Sequence, residues 1–305
     1  MKLDPTINTG IILQDPQGTD YIAGVNSPIQ YKENNPTGDW TAALPSDELQ
    51  VGLYFDSMAC VSFSACNTLE TQLNYLKDRL SVDSLQWLHD KGYFDANGKF
   101  NFSDRFIAKM SGTTQQGNSM QKVADTIRNC GLVPENVWPA PFRQQNPPFT
   151  WSEYYKEIPQ EVKNLGLEFK ARFDVAYEFV YTEQDKHQKQ SPLQVVVATC
   201  SGWNDPPVAS CPNQPNHAVM QVNNSKVIYD HYNPFKKQLA SDYKIYYWMK
   251  YVVTEKSMNQ AKIVVSKNSP TVYICYPVPR QQHLEERASL EGITIPNPIP
   301  NSDSL

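Results

Sequence analysis

Six cysteines and five histidines carry the most versatile side-chain chemistry in this 305-residue sequence, and their spacing limits what that chemistry can be. His89, His187, His217, His231 and His283 are scattered, and the chain has no CxxC pair, no HExxH, no acidic calcium loop and no GxxxxGK[ST]. Zinc, calcium and nucleotide-phosphate motifs are therefore missing, and neither a metal nor a cofactor is expected. Nucleophilic chemistry remains. Cys60 stands in the first turn of the strongest helical pattern, just after Ser57, Met58 and Ala59. A thiol attacks as its thiolate, and the unpaired N–H groups and partial positive charge of a helix N-terminus stabilise that anion. The competing reading is a buried small hydrophobe, the commoner fate of a free cysteine, and position alone leaves both open.

The pattern that places Cys60 comes from Cys66, Leu69, Leu73, Leu76 and Leu80, which recur at steps of three and four and so share one face of a helix of about five turns. Asp56 and Ser57 are its candidate caps, and Cys66 reads as core. A short helix is expected over 84–90, ended by Gly92. A third begins after Ser119, buries Met120, Val123, Ala124 and Ile127, and stops at Gly131. The four prolines of WPAPFRQQNPPFTW, residues 138–151, exclude regular structure, and a helix is expected over 152–165. Beyond it the period shortens to two, predicting strands at 193–199, 217–222, 226–232, 243–253, 262–265 and 271–276. The organisation expected is an extended arm over 1–50, a helical subdomain over 51–170, a β subdomain over 171–290 and a flexible Pro-rich tail over 291–305.

A net charge of −5 without any block of like charges argues against nucleic acid as a partner. No run approaches the roughly 18 apolar residues of a bilayer span, so no membrane partner is expected. The opening MKLDPTINTGIILQDPQGTDY lacks the charge and apolar run of a signal peptide, which places the protein in the cytoplasm of the producing cell. Cysteines without a repeating spacing favour a reduced compartment, with the pairing of Cys200 and Cys211 left open.

Asp56 to Glu70, DSMACVSFSACNTLE, resembles the segment around the nucleophile of papain-like cysteine peptidases, in which Phe-Ser-Ala follows three residues after the cysteine and Thr-aliphatic-Glu follows in the helix. Phe63-Ser64-Ala65 and Thr68-Leu69-Glu70 set the register, so the resemblance puts Cys60, not Cys66, at the nucleophile position. Downstream, in the family's order, Gly117 and Asn118 are similar to the backbone that binds the substrate chain. Asn216-His217-Ala218-Val219 matches the segment that carries the catalytic histidine, and Asp230 falls where the residue orienting that histidine stands. The resemblance thus implies an α+β fold, a helical half and an antiparallel β half with the cleft between them. It also implies a catalytic set of Cys60, His217 and Asp230 acting on a peptide or protein substrate. Trp203 is a further candidate for the cleft wall.

The sequence departs from the family in three places. The glutamine that donates to the oxyanion should stand six residues before the nucleophile, where Tyr54 is found, and Gln50 can take that place only if the intervening loop bulges. Val61 replaces the usual aromatic after the nucleophile, and His231-Tyr232 replaces Ser-Trp. The Asp-Ser-Met-Ala-Cys-Val motif and the N-terminal arm are similar to papain-like proteins encoded by tailed bacteriophages. That likeness implies virion association, with residues 1–50 and the tail as contacts to other virion proteins. The alternative function is a catalytically weak or inactive papain-fold structural or adaptor protein.

Overall fold

A computed structural model describes residues 10–14 and 20–256, so the strands expected at 262–265 and 271–276 and the tail over 291–305 lie outside the described residues. Helix α1 (Cys60–Leu76) occupies the centre, with every residue from Cys60 to Leu73 buried. Burial on all sides obliges each polar group on the helix to find an internal partner. Ser64 Oγ donates to the Cys60 carbonyl and Thr68 Oγ1 to that of Ser64, both at 2.7 Å. The amide of Gln194 donates to the Val61 carbonyl and to Ser64 Oγ, each at 2.8 Å, and its oxygen accepts from the Tyr251 hydroxyl. Gln72 bonds the backbone of Tyr251 and Val253. The helix is thereby bolted to the sheet at both ends. Its N-cap is Ala59, without a side-chain cap bond, so neither Asp56 nor Ser57 caps it as the sequence suggested.

Helix α2 (Val82–Asp90) is capped by Ser81, and Gly92 follows at φ +78°, where a left-handed conformation is needed. Helix α3 (Asp104–Met110) escaped the sequence reading because it is only seven residues long, too short to display a period. Helix α4 (Met120–Cys130) runs from its Ser119 cap to Gly131, as the sequence indicates. At Gly131 a Cβ would lie 1.9 Å from the Gly166 carbonyl oxygen. The helix expected over 152–165 is instead two: α5 (Trp151–Tyr154) and α6 (Gln160–Arg172). Pro159 divides them, because the residue before a proline is pushed out of the helical region.

Six strands form one antiparallel sheet among the described residues, in the order β1-β6-β2-β3-β4-β5. They are β1 (Phe173–Phe179), β2 (Leu193–Val197), β3 (His217–Gln221), β4 (Val227–Tyr229), β5 (Lys236–Gln238) and β6 (Ile245–Glu255), with a short helix α7 (Gln184–Gln188) between β1 and β2. Helices first and an antiparallel sheet afterwards make the fold α+β, and α1 packs directly on β3. The described part of the N-terminal arm is tied to this sheet region. Ile22 pairs with Phe179, and the buried Trp40 donates its indole N–H to the Gln188 carbonyl at 2.7 Å.

The helical side carries an unusual charge distribution. Glu70 of α1, Asp104 of α3, Glu48 and Glu135 lie together, and no ion pair reaches any of the four among the described residues. Burial pushes all four carboxyls above the ordinary range, and the charge of Glu48 adds to it at Glu70, Asp104 and Glu135. A folded-state pKa above the unfolded value means that the native state binds more protons between the two. The cluster therefore costs stability as pH rises from about 4 through the raised values. Between pH 8 and 6.5 the cluster should therefore make the thermal midpoint rise as pH falls. Glu70→Gln, which keeps the acceptor oxygen for the Phe102 amide, should flatten that slope and raise the thermal midpoint at pH 8. A thermal melt series across these pH values checks both.

Candidate active site

Cys60 is the first residue of α1 and His217 the first of β3, the strand on which α1 packs. Phe63 in the first turn of the helix and His217 at the start of the strand both lie against the His231 ring, at 5.3 and 4.9 Å, which brings the two termini into one neighbourhood. His217 Nε2 lies 2.8 Å from Asp230 Oδ1, and Cys60, His217 and Asp230 are each 0% exposed. A cluster of side chains joins thiol to imidazole. The Tyr232 ring is 5.7 Å from that of His217, its hydroxyl donates to Asp56, and both it and the Tyr155 hydroxyl feel the charge of Cys60. Asp56 in turn feels the charge of His217.

Asp230 follows β4 and is held from several sides. The backbone N–H of His231 donates to Oδ1 at 2.8 Å, and Oδ2 accepts from Trp203 Nε1 at 2.9 Å and from Lys237 Nζ at 2.6 Å. Burial pushes this carboxyl up, but the charges of His217 and Lys237 together outweigh it and hold it well below the usual carboxylate range. Asp230 is thus a fixed anion that orients the His217 ring. Trp203 stands edge-on to His217 at 5.8 Å and is fully buried, so it covers the histidine–aspartate pair instead of lining an open wall.

The histidines are less scattered in space than in sequence. The His231 ring lies 4.9 Å from that of His217 and 5.3 Å from that of Phe63, and neither of its nitrogens has a hydrogen-bond partner. Burial, reinforced by the charges of His217 and Lys237, lowers its pKa well below the ordinary value and keeps it neutral. Among the described residues His217, Asp230 and His231 form the one group whose ligand atoms all lie within 4.8 Å of one another. With the Lys237 ammonium already on the shared carboxylate, a second cation would meet repulsion, so the residues do not favour a metal. Lys237 itself was not legible in the sequence: it lies in a Lys-Lys-Gln segment that looks solvent-facing, and only the pairing of β5 turns it inward.

Gln50 is brought to the site by the bulge that its spacing demands. Residues 51–56 fold out as a tight hairpin, closed by the Val51–Asp56 bridge and a bond from the Gly52 N–H to the Phe55 carbonyl. Tyr54 sits on its exposed tip, and the Ser57 N–H returns to the Gln50 carbonyl at 3.1 Å. The Gln50 backbone N–H donates to the His231 carbonyl, and its side-chain Nε2 donates to Asp56 Oδ1 at 2.8 Å.

Gly117 and Asn118 are covered by the chain itself. Ile11 pairs parallel to Asn118, with bonds from the Asn118 N–H to the Gly10 carbonyl and from the Ile12 N–H to the Asn118 carbonyl. Gly10, at φ +114°, is wedged where a Cβ would lie 1.9 Å from the Met58 carbonyl oxygen. Cys200 and Cys211 are free thiols, as are Cys66 and Cys130, and burial and the neighbouring Cys211 push Cys200 up to about 11.

The sequence matches no protein-family model, and no curated protein matches it. Several solved structures are similar, two of which illustrate the match. One, from a study of antibody cross reactivity between the mite allergens Blo t 1 and Der p 1, is 13% identical with a TM-score of 0.45 and covers 77% of this chain and 75% of that one. The other is the Amb a 11 cysteine protease, a major ragweed pollen allergen, in its proform. It is 13% identical with a TM-score of 0.43, and the match covers 70% of this chain and 65% of that one, just under two thirds.

Gly10→Val should dislodge residues 10–13, since neither the left-handed φ nor the contact with Met58 tolerates a side chain. Amide hydrogen exchange is the readout: protection of the Ile12 and Asn118 amides should fall by about tenfold or more while that of α1 is kept. Unchanged protection at both amides would contradict the packing described.

Proposed function

We propose that the protein is a papain-like cysteine peptidase that cleaves a peptide or isopeptide bond through an acyl-enzyme on Cys60. The observation that carries this reading is the buried His217–Asp230 pair at the end of the strand against which the Cys60 helix packs. His217 takes the Sγ proton, and the thiolate attacks the carbonyl carbon. The oxyanion that forms is met by the Cys60 N–H and by the amide of Gln50. As the tetrahedral species collapses, the C–N bond breaks and His217 returns its proton to the leaving amine. Water then attacks the thioester with His217 as base, releasing the acid and restoring the thiol. Asp230 keeps the imidazolium in place through both steps, and the Lys237 ammonium keeps Asp230 ionised.

An origin in a tailed phage, and contacts of the arm and the tail with virion proteins, rest on the resemblance of the nucleophile motif alone. One observation favours the second reading, an inactive papain-fold adaptor: Cys60 and His217 are fully buried, so substrate can enter only after covering chain moves aside. Digestion of a complex peptide mixture by the full chain, read as new α-amino groups by mass spectrometry, separates the two. The peptidase generates new termini that vanish in Cys60→Ala and in His217→Ala. Gln50→Ala should slow their appearance by about 10² to 10³, the usual effect of losing one oxyanion donor. No new termini at any enzyme concentration would select the adaptor.

A further inference from the structure

A cavity of about 680 Å³ lies next to the 51–56 hairpin and does not include Cys60, His217 or Asp230 in its lining. Leu53, Phe63, Phe142 and Phe235 give it apolar walls, and Glu48, Asp104 and Glu135 give it a carboxylate end. Asp104, a lining residue, is only 3% exposed, and its Oδ1 is a buried acceptor without a hydrogen-bond partner, beside a cavity large enough for a ligand group. Its carboxyl group and that of Glu48 interact, and burial raises both, so the pair favours holding a proton when no cation is present.

Arg105 also lines the cavity but is engaged elsewhere. Its guanidinium donates to the carbonyls of Tyr154, Pro139 and Glu153 and lies 4.4 Å over the Trp138 ring. Glu135 feels its charge, while Glu48 and Asp104 gain no ion pair from it among the described residues. Arg143 also lines the cavity but makes no ion pair with Glu48, Asp104 or Glu135 among the described residues, so these carboxyls have no paired cation there. A divalent metal would need three oxygens converging on a point, and the ligand atoms of these carboxylates do not converge so closely. Spread carboxylates at the end of an apolar channel suit an extended organic cation, whose stem packs on the rings while its head takes several oxygens.

We propose that this cavity binds the guanidinium or ammonium head of a basic side chain in a polypeptide, with Asp104 and Glu48 as its anionic partners. The incoming cation replaces the proton that the two carboxyls hold. Leu49 and Val51, on either side of Gln50, and Asn233, next to Tyr232, line the cavity, so such a side chain would be held within a few residues' reach of the proposed hydrolytic site. Binding itself does not depend on that site being active.

The test uses the full chain carrying Cys60→Ala, so that hydrolysis plays no part, and titrates it calorimetrically with N-acetyl-arginine methylamide and with the isosteric but uncharged citrulline derivative. The arginine derivative should bind at least about tenfold more tightly, and Glu48→Gln should remove about tenfold of that affinity without altering citrulline binding. Asp104→Asn, measured in parallel, should act in the same direction and covers the case that one variant misfolds. Equal binding of the two derivatives, or no binding of either at millimolar concentrations, would overturn the proposal. Calcium chloride binding that Glu48→Gln abolishes, with no arginine binding, would overturn it in favour of a metal site.

Discussion

A helix buried on every side is the constraint on which the molecule is built. From Cys60 to Leu73 helix α1 has no solvent-facing stripe, although it contains Ser62, Ser64, Asn67, Thr68, Glu70, Thr71 and Gln72. Each such group left unpaired would cost about 1–3 kcal/mol, so the surrounding elements must supply partners at fixed places. Gln194 of β2 serves Ser64, the Tyr251 and Val253 backbone of β6 serves Gln72 and the Phe102 amide serves Glu70, while Ser62 Oγ and Thr71 Oγ1 stay without a hydrogen-bond partner; the bonds made fix the rotation and height of the helix against the sheet. The same anchoring sets where its N-terminus emerges. Cys60 reaches the start of β3 because the amides of Gln194 and Gln72 hold the rest of α1 across neighbouring strands.

Charge is handled in opposite ways on the two sides of that helix. On the sheet side Asp230 is surrounded by His217, Lys237, the Trp203 indole and a backbone N–H, and remains an anion despite complete burial. On the helical side Glu48, Glu70, Asp104 and Glu135 form no ion pair among the described residues, and burial pushes their carboxyls above the ordinary range instead. A buried charge with good partners is a rigid orienting device, and one without partners is a demand for a proton or a cation. The first arrangement suits a group that must hold an imidazole through a reaction. The second suits a place where something positive arrives.

Much of this was legible in the sequence where a single local rule governs. The steps of three and four through Cys66, Leu69 and Leu73 gave α1, the Ser119 cap and Gly131 bounded α4, and alternation located β2 and β3 to within two residues. Legibility failed where a local rule yields to distant packing. Asp56, a plausible cap by position, is taken by Tyr232, the Met58 amide and Gln50. Strand β1 was missed because Asp174 and Glu178 interrupt its apolar pattern, and only pairing with β6 gives them a place. In the site, ordered motifs pointed to Cys60, His217 and Asp230, but the hairpin that returns Gln50 and the inward turn of Lys237 depend on contacts no linear pattern announces.

The central claim is that Cys60 and His217 act as a thiolate–imidazolium pair, and the pH dependence of cysteine alkylation tests it most directly. Native protein is treated with iodoacetamide across pH 5 to 9, and each cysteine is mapped by mass spectrometry, with His217→Ala alongside. The account predicts that Cys60 reacts faster than every other cysteine below pH 8.5, the ordinary thiol range, and that the variant loses this advantage. Reaction of Cys60 no faster than Cys200, the partly exposed thiol, across the whole range and with no effect of His217→Ala would contradict it.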